Sequence, residues 1–190
     1  MDQEFNDDPA HNRGIRPLPN LETKFVAANT LIGLEMSGLK PNGMAELEKE
    51  LQEVRSKHFG ARTRKTKEKY RLEDKTIRTE IADLLKQAGF PETSANQISG
   101  WNPYAQNAKA DWFDAEWMFG IEKGFDIVIG NPPYVRQEEI KEFKPLFSKQ
   151  YECFTGTADL FVYFYECAWR SLREQGVFTF ITSNKYFRSG

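Results

Sequence analysis

At 190 residues, 39% hydrophobic and 28% charged, the chain is long enough for one globular domain with a sizeable core, and no run approaches the ~20 apolar residues that span a bilayer. Its net charge of -2 gives no global pull toward nucleic acid, so any such surface has to come from local segregation of charge. Cys153 and Cys167 lie far apart, with His11 and His58 as the imidazoles, which argues against a disulfide framework or a metal site. The N-terminus is acidic and polar rather than basic then apolar, so a cytoplasmic setting without a membrane partner is expected.

Residues 1 to 20 carry Asp, Asn, His, Arg and prolines without periodicity and read as a surface arm. Lys24 to Asn29 reads as a short strand ending on a small polar residue. Asn29 is therefore either a residue at the edge of a cleft or an ordinary turn Asn. After Pro41-Asn42-Gly43, the spacing of Met44, Leu47, Leu51, Val54 and His58 predicts an amphipathic helix. Tyr70, Ile77, Ile81, Leu84 and Ala88 predict a second, stopped by Gly89-Phe90-Pro91, so 41–90 is expected to be a helical hairpin turning near Gly60. Between Arg55 and Arg78 ten basic residues, among them Arg62, Arg64 and Lys65, face three acids. That excess of seven is either a phosphate-facing surface or a solvated helical face.

From Gln97 to Phe119 the chain is dense in aromatics, including Trp101, Trp112 and Trp117. Such rings either stack on bases or pin an irregular crossover onto a sheet. Phe125 to Gly130 then reads as a buried strand that stops abruptly and presents Asn131-Pro132-Pro133-Tyr134 to a cleft, as strand ends do in open α/β sheets. Gln137 to Gln150 is charged, with Ile140, Phe143 and Phe147 at helical spacing around Pro145, and is expected to cover that cleft. Thr157-Ala158-Asp159 opens a strong helix whose face is Phe161, Phe164, Tyr165, Ala168 and Leu172, with Asp159 at its positive end. Arg173 to Gly176 closes it, and Val177 to Thr182 forms the next strand, parallel to the first. Ser183-Asn184-Lys185-Tyr186 starts a loop at that strand's carboxyl end.

The tetrad has a definite chemical use. An aromatic exocyclic amine is a poor nucleophile because its lone pair is delocalised into the ring. Hydrogen-bond acceptors at its N–H groups favour the geometry that frees the nitrogen and stabilise the positive charge that grows as it is alkylated. The Asn131 side-chain oxygen and the Pro132 carbonyl are suited to this, the prolines hold them rigid, and Tyr134 can stack on the ring. A base would have to leave its duplex to reach them.

GFDIVIGNPPYV, with WFDAEWMFGI before it and TADLFVYFYE and GVFTFITSNKYF after it, resembles the N6-adenine DNA methyltransferases of the Eco57I-type restriction-modification family. The resemblance covers nearly everything from Leu18 onward. It implies an α/β fold, a partial Rossmann-like methyltransferase sheet over 21–190 with the 41–90 hairpin inserted. It further implies methyl transfer from S-adenosylmethionine to N6 of adenine in double-stranded DNA, with Asn131, Pro132, Pro133 and Tyr134 as the catalytic motif. LPNLETKFVAANTLIG is similar to the segment whose strand end contacts the donor, which carries over to Asn29. Asn184 and Lys185 fall in the loop near the base or DNA backbone, and Arg62, Arg64 and Lys65 are the basic residues of the hairpin placed toward DNA.

The family's glycine-containing donor loop has no counterpart in residues 1 to 20, and the pattern stops at Gly190 before the later strands. A fragment is therefore expected, with weak or absent catalysis alone and with exposed strand edges that favour self-association. Two other readings stay open on the residues themselves. One is a protein glutamine-amide methyltransferase, since the tetrad can hold a side-chain amide by the same logic. The other is a non-catalytic nucleic-acid-binding module built on the basic hairpin.

Overall fold

The computed structural model describes residues 8, 10, 18–36, 38–105 and 107–182. They fall into two compact units, Met1–Val26 with Gly38–Ala108, and Ala27–Ser37 with Lys109–Gly190.

The first unit is helical: α1 (Met44–Phe59), α2 (Arg64–Gln87) and α3 (Glu92–Gly100). Met44, Leu51, Val54 and His58 of α1 are buried, as their spacing predicts. The buried face of α2 runs through Ile77, Ile81, Ala82 and Leu85, so Leu85 rather than Leu84 is its innermost leucine. The hairpin turns at Gly60, and Thr63 starts α2 with a capping box: its hydroxyl accepts from the Thr66 amide while Thr66 returns a bond to the Thr63 amide. Asn20, at the end of the expected arm, closes the turn from outside. Its side-chain amide donates to the carbonyls of His58 (2.7 Å) and Ala61 (2.6 Å), satisfying groups that the end of α1 leaves over. Helix α3, whose Ala95 and Ile98 are buried, runs into the start of the Gln97 to Phe119 stretch, for which an irregular crossover was one of the two readings.

Charge inside this unit is paired. Asp74 is fully buried and accepts from Arg55 Nε (2.8 Å), Arg78 Nε (2.6 Å) and the Tyr104 hydroxyl (3.2 Å). Arg78 also donates to the carbonyls of Ile98, Ser99 and Trp101 at the C-terminal end of α3, where a cation is favoured. Two of the ten basic residues in the expected phosphate-facing run are therefore core residues, because only a carboxylate and helix-end carbonyls can satisfy them there. Arg62, Arg64 and Lys65 are exposed, and Arg64 pairs with Glu68 at 2.7 Å.

The second unit is α/β. Strand β1 (Ala27–Ala28) pairs in parallel with β2 (Lys109–Ala110), and β3 (Phe125–Gly130) pairs in parallel with β4 (Leu172–Phe180). The strand expected over 24–29 is thus two residues long. The short helix α4 (Ala115–Phe119) begins on Asp114, whose side chain accepts from the Trp117 amide at 2.8 Å. Trp112 and Trp117 are buried, as is Trp101 in the first unit, so these rings are packing residues and are not free to stack on bases. A 3-10 turn (Lys141–Phe143) leads into α5 (Lys144–Gln150), with Pro145 in the first turn, where it costs no helical hydrogen bond.

Helix α6 (Leu160–Ser171) returns the chain to β4 and is apolar on two sides. Tyr163 enters a cluster with Leu31, Ile140, Phe147 and Ala158, while Tyr165 packs edge-on against Phe178 of β4. The segment expected to cover the cleft is therefore built into the core through Ile140 and Phe147. Residues 173–176, expected to close the helix, form the bulged start of β4. Phe125 aligns with Leu172 and Ile127 with Val177, and Gln175 takes a left-handed φ of 62° to absorb the extra residues. Gly124 allows β3 to start beside this bulge: its φ is 83°, and a Cβ there would lie 2.5 Å from the Arg173 nitrogen.

Strand β3 is not buried as its apolar run predicted. Ile127 is 59% and Ile129 76% exposed, and Val177 and Ile181 are exposed as well. Alternation explains which side is covered: Phe178 and Phe180 meet Tyr165 of α6, and the odd-numbered residues point the other way.

Candidate active site

The site begins where β3 runs out. The Gly130 carbonyl accepts from the Ile181 amide at 3.1 Å, the last bond of the β3–β4 pairing, and the prolines that follow have no N–H with which to continue it. The chain therefore leaves the sheet at Asn131. Asn131 and Pro133 are exposed, Pro132 is buried, and Tyr134 is half-exposed with its hydroxyl donating to the Ile181 carbonyl at 3.0 Å. Ile181 thus holds the tetrad at both ends, through its N–H before Asn131 and through its C=O at Tyr134.

Beyond the tetrad, the Val135 carbonyl accepts from the Leu160 amide at 3.0 Å and the Gln137 amide donates to Asp159 Oδ1 at 3.2 Å. Lys144 Nζ donates to the Gln137 side-chain oxygen and to the Gly156 carbonyl. The loop is tied to the first turn of α6 at two alternate residues, in the pattern of a strand pair.

Asn131 and Pro132 form part of the wall of a cavity of about 220 Å³ that Val128, Phe164, Phe180 and Thr30 also line. Its lining is mainly apolar. Cys167 is on the same wall and donates to the Thr30 carbonyl at 3.2 Å, and burial pushes its thiol above the ordinary range, so it is a neutral packing group and not a nucleophile. A second cavity, of about 420 Å³, opens at the start of β3 near Gly124, with Glu116, Glu122 and Arg170 on its wall. Between the first residues of the strands, Arg173 donates to Asp126 at 2.5 Å and holds that carboxyl below its usual range.

Of the residues expected at the site, Asn131, Pro132, Pro133 and Tyr134 form one contiguous ledge. Asn29 is exposed and follows β1. Its amide donates to the Ala110 carbonyl at 3.0 Å and its Oδ1 accepts from the Leu31 amide at 3.3 Å, an Asx turn that places Thr30 at the cavity beside Asn131. Arg62, Arg64 and Lys65 belong to the helical unit. Asn184 and Lys185 lie outside the described residues. Neither the role of Ile181 nor the contact between Asp159 and Gln137 has a signal in the sequence, because these bonds join segments brought together only by the crossover.

What the ledge can do follows from its atoms. It offers one side-chain oxygen and backbone carbonyls on a rigid support, next to an aromatic face, with no acid or base within the tetrad. Such a surface holds a planar N–H group and stabilises positive charge on it.

A family model described as Eco57I restriction-modification methylase matches residues 22–190. The type II methyltransferase M.BstVI of Geobacillus stearothermophilus is 41% identical over 66 residues, which are 34% of this chain and 12% of that protein. The release factor glutamine methyltransferase of Buchnera aphidicola subsp. Acyrthosiphon pisum (strain APS) is 48% identical over 33 residues, 17% of this chain and 12% of that protein. The chain therefore covers about an eighth of the length of either relative. No solved structure matches it. With its family model spanning nearly the whole sequence, the chain belongs to the Eco57I restriction-modification methylase family.

Proposed function

We propose that this chain supplies the base-holding side of a DNA methyltransferase that moves a methyl group from S-adenosylmethionine to N6 of adenine in double-stranded DNA. The observation that carries this reading is the ledge Asn131–Tyr134, fixed at both ends to Ile181 in a member of a restriction-modification methylase family. Asn131 Oδ1 and the Pro132 carbonyl each accept an N–H of the extruded adenine's amino group, the Tyr134 ring stacks on the base, and the positive charge that grows on nitrogen is stabilised without a general base.

S-adenosylmethionine would bring the electrophilic methyl group. The cavity beside Asn131, at about 220 Å³, is smaller than the ~300–1,000 Å³ of ordinary small-molecule sites and is mainly apolar. This cavity is therefore too small for the whole donor, and the chemistry of the ledge lies on the acceptor side. Asn29 would meet the donor through its side-chain NH2 group. Arg62, Arg64 and Lys65, with Asn184 and Lys185, would take phosphate and groove contacts, and binding through them should weaken steeply with salt. In the same reading the two parallel strand pairs are portions of one Rossmann-like sheet, the apolar face at Ile127 and Ile129 leads to self-association, and the enzyme acts in the cytoplasm.

The 48% identity to a glutamine methyltransferase favours one competing reading, in which the ledge holds a side-chain amide of a protein. With the full-length enzyme, labelled S-adenosylmethionine with adenine-containing duplex DNA in one arm and a Gln-containing peptide in the other separates the two. Label is expected on N6 of adenine and to fall about a hundredfold or more in Asn131→Ala. Label on the peptide alone would establish the competing reading. A third outcome, salt-sensitive DNA binding that ignores Asn131→Ala and is lost when Arg62, Arg64 and Lys65 are neutralised, would identify a binding module instead.

A further inference from the structure

We infer that Asp159 is a positioning residue for the tetrad, holding the loop after Tyr134 to α6 so that the acceptors of Asn131 and Pro132 keep one direction. This rests on the base-holding reading above. Asp159 occupies the N-cap of α6, where a carboxylate ordinarily accepts from its own helix's second or third amide. Here it makes no such bond. Its Oδ1 accepts instead from the Gln137 amide at 3.2 Å, while the next residue, Leu160, donates its amide to Val135 at 3.0 Å.

The helix thus gives up a cap to hold the loop, and the side chain stands in for the backbone carbonyl a strand partner would offer. The other side of the clamp is rigid. Ala158, one residue before Asp159, is buried with Ile140, Phe147 and Tyr163, and Lys144 ties Gln137 to Gly156. With Ile181 holding Gly130 and Tyr134, and Asp159 holding Gln137 just beyond, Asn131 to Tyr134 and the chain that leaves it are fixed, which is the preorganisation that acceptors aimed at a developing charge require.

The test uses the full chain as wild type, Asp159→Ala and Asp159→Asn, the last retaining an oxygen at the same position. Amide hydrogen exchange is measured by NMR, and base capture is followed by fluorescence of a duplex carrying 2-aminopurine opposite an abasic site. Exchange at Gln137 is expected to quicken roughly tenfold in Asp159→Ala and to return near wild type in Asp159→Asn, with the fluorescence gain on binding lost and recovered in step. An unchanged Gln137 amide in Asp159→Ala, or no recovery in Asp159→Asn, overturns the assignment. Should Asp159→Ala fail to fold, Asp159→Asn decides by itself: an oxygen acceptor that leaves Gln137 protected supports the clamp, and a freely exchanging Gln137 removes it. If the wild type gives no fluorescence gain while Gln137 follows the expected pattern, the base-holding reading fails and the clamp stands as a structural device only.

Discussion

His58 shows how one side chain can set a pH dependence without belonging to the site. It is fully buried, its Nδ1 has no hydrogen-bond partner among the described residues, and Arg71 Nε donates to its Nε2 at 3.4 Å. Burial lowers its pKa below the ordinary 6.5, with Arg71 and Lys67 adding to the effect and Glu22 opposing it. In the window between that lowered value and 6.5 the unfolded chain binds more protons than the folded one, so stability is full above 6.5 and declines as pH falls below it. The melting temperature should therefore drop on going from about pH 7.5 to about pH 5.5, and His58→Leu should flatten that drop. Equal slopes for the two proteins would count against this role for His58.

Gly130, also a single residue, is fixed by space rather than by φ. A Cβ there would lie 2.8 Å from Phe180 Cε1, and that ring is already packed on Tyr165. Gly130→Ala should cost about 1–3 kcal/mol, and Phe180→Leu in the same chain should recover part of it, as a double-mutant cycle of urea unfolding would show. The residues of the ledge were legible in the sequence because Gly, Asn, Pro and Tyr after an apolar run have few other uses. The reason Gly130 must be Gly was not, since Phe180 is fifty residues away.

Among the elements, the α1–α2 hairpin was readable from periodicity and from its breakers, and its turn lies at the expected Gly60. The meaning of its charge was not readable. Arg55 and Arg78 look like their neighbours in the sequence, yet both are buried on Asp74, while Arg62, Arg64 and Lys65 stay in water. Asp74→Ala would leave two buried guanidinium groups without their carboxylate and should destabilise the chain by about 3–5 kcal/mol in urea unfolding, whereas Arg64→Ala, at a solvent-exposed pair, should cost far less. Comparable losses in the two variants would show that the Asp74 network is solvated. Helix α3 was missed because ETSANQISG carries little apolar periodicity, and burial of Ala95 and Ile98 is what holds it.

For the whole molecule, the decisive feature is a two-stranded parallel sheet with one covered face. Parallel strands are ordinarily buried on both faces, and Ile127, Ile129, Val177 and Ile181 carry the composition of such strands while lying exposed. A contiguous apolar face of this kind drives association. The chain should sediment as a concentration-dependent mixture, and Ile127→Lys with Ile129→Lys should shift it to monomer without loss of helical content by circular dichroism. A wild-type chain that stays monomeric at high concentration would contradict this.

The sequence by itself determined the helical hairpin, the strand–helix–strand crossover with the tetrad at the first strand's end, and the family, because each rests on local spacing and on residue types with narrow conformational range. Only the tertiary structure decided which charges are buried, which strand face is covered, and that Ile181 and Asp159 grip the tetrad from either side. Those are contacts between distant segments, and their energies depend on what surrounds a residue rather than on what it is. The crossover places Phe180 and Ile181 at the end of β3 and Asp159 at Gln137 beyond the tetrad, and no pattern within any one segment encodes those meetings.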